Sequence, residues 1–77
     1  MKLVERRINR TTRATISLRD GQGEYANPKT EGGRWITLCE THGNLVNHET
    51  RALARSWMAE PQTWCEECSR IWREQQE

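Results

Sequence analysis

Residues 35–68 read WITLCETHGNLVNHETRALARSWMAEPQTWCEEC and hold all three cysteines and both histidines of the 77-residue chain. Within this stretch Cys39-Glu-Thr-His42 and Cys65-Glu-Glu-Cys68 form two C-x-x-[CH] pairs, separated by 22 residues. A two-residue gap lets two side chains of one tight turn reach a single ion. Two such turns complete a tetrahedron, the arrangement Zn²⁺ takes in structural sites. Gly43 directly follows the second ligand, where a turn needs positive φ and a close backbone approach to the thiolate. The spacing therefore predicts one structural Zn²⁺ held by Cys39, His42, Cys65 and Cys68. His48 lies six residues beyond His42. It stands as an alternative fourth ligand, or as a residue hydrogen-bonded near the site.

The flanking pattern places these ligands on elements. Arg34 to Leu38 alternates as a strand that delivers Cys39, Gly43-Asn44 turns the chain, and Leu45 to His48 returns it. A helix is expected from about Thr50 to Ala59, stopped by Pro61, with Leu53, Ala54 and Trp57 as a narrow apolar stripe. Cys65, Cys68, Ile71 and Trp72 share helical spacing. A second helix should therefore begin at the cysteines and pack Trp72 beneath them.

Upstream, TRATISLR (residues 12–19) has period 2, with Ala14, Ile16 and Leu18 on one face and Arg13, Thr15, Ser17 and Arg19 on the other. Asp20 to Gly23 reads as a turn, Glu24 to Ala26 as a short strand, and Asn27 to Gly33 as a loop. The first ten residues are open between a further strand and a loose arm. The expectation is a small α+β zinc-stabilised domain of antiparallel hairpins and two short helices. Residues 1–33 form its basic hairpin segment and residues 34–77 its metal-binding part.

A knuckle on a hairpin, followed by a ligand pair at the start of a terminal helix, resembles the treble-clef zinc finger over about residues 34–74. The helix inserted between hairpin and second pair departs from that pattern and keeps a zinc ribbon as the alternative. Trp35, Cys39, His42, Gly43, Ala54, Arg55, Pro61, Trp64, Cys65 and Cys68 together also resemble small zinc-finger proteins of actinobacteria and their phages. That resemblance implies the metal site and no particular activity.

Size and composition agree with a metal-dependent fold. A chain this short buries only about 60% of its unfolded surface, and domains below roughly 80 residues commonly need a metal, disulfides or a partner. Three cysteines leave one over in any intramolecular pairing. MKLVERRINR breaks its apolar run at Glu5, Arg6 and Arg7, unlike a signal peptide. No run approaches the roughly 20 apolar residues of a membrane span. The expectation is a protein of the reducing cytoplasm, with no membrane and no small-molecule substrate.

Catalysis is not expected. Four ligands close a zinc shell that a catalytic site would leave open. The deaminase pattern H-x-E with P-C-x-x-C fails, since Pro61 is four residues from Cys65 and His48-Glu49 lacks the intervening residue. An HNH-type nuclease needs a second histidine on the helix, and none is left.

Recognition is the remaining role, and two partner classes are open. Residues 1–34 carry eight Lys/Arg against four Asp/Glu, whereas residues 35–77 carry four against seven. Arg6, Arg7, Arg10, Arg13, Arg19 and Arg34 would contact nucleic-acid phosphates if they shared one face. Arg51 and Arg55 add a small stripe. Four tryptophans in so small a chain point instead to a protein partner or a homodimer, as in an adaptor or a phage-type inhibitor. Arginines clustered on one face favour nucleic acid; scattered arginines beside an exposed tryptophan favour protein.

Overall fold

The computed structural model describes residues 2–21 and 34–76. Alternation in the chain becomes four strands: β1 (Lys2–Ile8), β2 (Thr15–Asp20), β3 (Trp35–Cys39) and β4 (Leu45–His48). They form one antiparallel meander in the order β1-β2-β3-β4. Residues 2–8 are thus an edge strand, not a loose arm. Because β2 pairs with β3, residues 1–33 and 34–77 contribute to the same sheet. The expected strand at Glu24 to Ala26 and the loop after it lie outside the described residues.

Register sorts the side chains. Ile16 opposes Cys39 and Leu18 opposes Thr37, so these point to one face together with Ala14. On that face lies α1 (Arg51–Met58), capped by Thr50, whose side chain accepts from the Leu53 N–H. The buried stripe of α1 is Ala54 and Met58, one turn apart, packed with Ala14, Ile16, Leu18 and the three cysteines. Leu53 and Trp57, expected in that stripe, stay 46% and 36% exposed. Ala54 and Met58 face the sheet, and Leu53 and Trp57 lie at the flank of that stripe.

A 3-10 turn (Pro61–Thr63) then leads to α2 (Glu66–Gln76). Pro61 follows the end of α1 as expected and also starts this turn, and the Trp64 and Cys65 N–H groups both donate to its carbonyl. The tryptophans packed against the core cluster are the half-buried Trp64 and Trp35, not the equally half-buried Trp72. Trp64 Nε1 also donates to the Trp57 carbonyl, 2.8 Å, which ties the end of α1 to the start of α2. Among the described residues no helix is long and apolar enough to cross a membrane.

Candidate metal centre

Both hairpin turns, residues 9–14 and 40–44, emerge at the same end of the sheet, where α2 begins. At the end of β3 the Gly43 N–H donates to the Cys39 carbonyl and the Cys39 N–H to the Asn44 carbonyl, both at 2.7 Å. Gly43 has φ 80°, so the turn is closed through the left-handed region that glycine tolerates. This closure aims Cys39 and His42 at one point. Cys65, just before α2, and Cys68 in its first turn are aimed at the same point.

The result is one group: Cys39, His42, Cys65 and Cys68, with ligand atoms all within 4.8 Å of one another. His42 Nδ1 lies 3.3 Å from Cys39 Sγ and 3.5 Å from each of the other two sulfurs. Cys39 and Cys68 sulfurs are 3.8 Å apart. Metal–sulfur bonds of ~2.3 Å and metal–nitrogen bonds of ~2.0–2.1 Å give a regular tetrahedron with edges of ~3.8 Å (S···S) and ~3.6 Å (S···N). The donor positions therefore match a four-coordinate ion that all four residues could hold. Burial pushes the Cys68 thiol up to about 12 and raises Cys39 as well, against the pull of the His42 backbone N–H on the latter. Sulfurs so desolvated become thiolates only beside a cation.

Residues outside the ligand set complete the centre. Asn44 Nδ2 donates to Cys65 Sγ (3.2 Å) and to Glu67 Oε2 (2.6 Å). The Glu67 backbone N–H and then the Asn44 amide hold the Glu67 carboxyl below the usual carboxylate range. Thr12 is buried in the first hairpin turn. Gln75 Nε2 donates to the Thr11 carbonyl at 2.7 Å. The same turn is braced internally by Asn9 Oδ1, which accepts from the N–H groups of Thr11 and Thr12 and from the Thr12 hydroxyl. Sequence reading missed Asn44 and Glu67, because nothing in their spacing marks a contact across the fold.

His48 is not in the group. Its Nε2 shares a 2.9 Å hydrogen bond with Thr37 Oγ1, and its ring tilts against Trp57 at 5.2 Å between centroids. It belongs to the packing of α1 on β4, and the fourth ligand position falls to His42.

The six arginines do not form one patch. Alternation sends Arg6, opposite Ser17, and Arg7, opposite Ile16, to opposite faces of the sheet. Arg6 makes a two-pronged contact with Glu40, 2.7 and 3.1 Å, and Arg19 approaches the same carboxylate at 3.6 Å. Arg34 holds Asp20 through two contacts of 2.7 Å and lies over the Trp35 ring, and Arg7 contacts Glu5. Only Arg10 and Arg13 of the six have no carboxylate partner among the described residues. Comparison of the chain with protein-family models, with curated proteins and with solved structures finds no match to any of them.

Proposed function

We propose that the protein is a zinc-clamped binding module without a catalytic role, built on a treble-clef-like arrangement of hairpin and helix. The closed donor set carries this reading: three sulfurs and His42 Nδ1 within 4.8 Å. Three thiolates and an imidazole in a tetrahedron suit Zn²⁺. Four protein donors leave no place for the water that a catalytic zinc activates. Elemental analysis and cobalt substitution test it. One ion per chain, with the absorption of a tetrahedral thiolate site, is expected. A chain that takes up no metal, or folds equally well without it, would sink the reading.

The partner is best read as a protein met on the outer flank of α1. There Leu53 and Trp57, one helical turn apart, expose apolar surface of the kind that anchors interfaces. The arginines expected to meet phosphate are instead scattered, and a carboxylate stands beside four of them. Nucleic acid is the second reading. It is favoured by Arg10 and Arg13, which with Ile8 and Asn9 line a shallow concavity of about 410 Å³.

A salt series with labelled single- and double-stranded DNA and RNA separates the two readings. Two phosphate contacts would give a log–log slope of about −2 on duplex DNA, and six about −5. Absent binding at low salt leaves the protein reading standing. Binding with the steep slope overturns it.

A further inference from the structure

Asn44 follows the glycine of the metal-binding turn, a position where asparagine is often used because it tolerates left-handed backbone. That use does not apply here. Among the described residues only Arg13 and Gly43 have positive φ. The Asn44 carbonyl accepts the Cys39 N–H, a contact any residue would supply. What is particular to asparagine is the side chain, with Nδ2 at 3.2 Å from Cys65 Sγ and 2.6 Å from Glu67 Oε2. Glu67 Oε2 itself lies 3.8 Å from that sulfur. A carboxylate and a ligand that is negative when bound to metal thus stand side by side at the start of α2. One amide NH₂, with two hydrogens to give, sits between them. Both neighbours are acceptors, which fixes the nitrogen and not the oxygen of the amide at this position.

We propose that Asn44 is the positioning residue of the metal centre, giving one N–H to the Cys65 sulfur and the other to the Glu67 carboxylate. It joins the hairpin turn to the first turn of α2 and keeps the Cys65 sulfur aimed at the ion. It also relieves the repulsion between two negative groups. Partners that orient metal ligands in this way change metal affinity by about 10–100-fold when removed. The assignment rests on the metal-binding reading above.

The test uses the full chain loaded with Co²⁺, and then Zn²⁺ in competition with a chromophoric chelator. Asn44→Ala should lose about 10–100-fold in metal affinity and shift the thiolate-to-cobalt charge-transfer band. Asn44→Asp has the same shape but can only accept at neutral pH, so it should lose more than Asn44→Ala. Glu67→Gln placed in the Asn44→Ala background should recover part of the loss, because the unscreened charge is gone. If Asn44 merely fills space, the order reverses: the isosteric Asp variant stays near wild type and the Ala variant is worst. That order, or two variants indistinguishable from wild type, overturns the assignment. If wild type itself binds neither ion, the metal reading fails, and the role of Asn44 with it. Tight wild-type binding beside unchanged variants defeats the Asn44 role alone.

Discussion

Gly43 and Arg13 carry the same left-handed backbone with opposite consequences. A Cβ built on Gly43 would meet nothing within 4 Å, so Gly43→Ala introduces no clash. Its cost is conformational, about 1–2 kcal/mol for an L-residue held in this region. Arg13, at φ 62°, already bears that cost. It is held there by Asn9, whose carbonyl accepts the Arg13 N–H at 2.9 Å. Arg13→Gly should therefore raise stability, by about 1 kcal/mol or less once the extra chain entropy of glycine is counted. In a domain of this size 1 kcal/mol moves Tm by about 4–8 °C. Thermal melts of both variants at saturating metal should shift in opposite directions. Shifts of the same sign would remove the backbone argument.

At the scale of elements, the contact between β4 and α1 contains a titratable group. His48 is 4% exposed, between Thr37 and the Trp57 ring, and burial lowers its pKa below the ordinary histidine value. The unfolded chain then binds more protons than the folded one between the folded pKa and ~6.5. Stability should be full above ~6.5, fall as pH drops below it, and stop falling from this source beneath the folded pKa. One proton limits the slope to ~1.4 kcal/mol per pH unit. Acid also releases metal, because protons compete for the ligands. The useful quantity is therefore the difference between wild type and His48→Gln, from urea denaturation at pH 7.5 and 5.5 with excess metal. Wild type should lose more stability on acidification than the variant. Equal losses would show that His48 does not titrate unfavourably in the fold.

Taken whole, the described residues are a four-stranded sheet with α1 on one face and the candidate metal centre at one end. The three cysteines are themselves part of the core cluster, with relative exposures of 0–1%. Removing the ion therefore leaves desolvated thiols where the ligands converged, in a domain whose core is small. Gln75, on α2, holds the Thr11 carbonyl at 2.7 Å, so the first hairpin turn is joined to the helix that carries Cys68. Chelation should expose amides at 9–14 and 66–76 to hydrogen exchange together with those of the knuckle, residues 39–44. Protection that persists at 9–14 while 66–76 exchanges would show that the first hairpin is independent of the metal.

Spacing along the chain was enough to pick out the four residues that converge, Cys39, His42, Cys65 and Cys68. Two residues between Cys39 and His42, two between Cys65 and Cys68, and a glycine after His42 are local facts, and local geometry decides whether one turn serves one ion. The same holds for β2, β3, β4 and α1, whose periods and Pro61 stop are written over a few residues each. What the chain could not express is how distant pieces meet. The inward stripe of α1 became Ala54 and Met58, with Leu53 and Trp57 at its flank, because the way the helix lies on the sheet sets which face is buried. Trp64 took the place beside the core that helical spacing had given to Trp72. His48, six residues from His42, turned to Thr37 across a strand pair. Arg6, Arg19 and Arg34 found Glu40 and Asp20 through sheet register, so a basic segment in sequence became neutralised pairs in space. Asn44 met Glu67 only because two metal-binding turns were brought together. Spacing and periodicity are short-range properties, whereas partners across a fold depend on register and packing, which only the assembled sheet and helices determine.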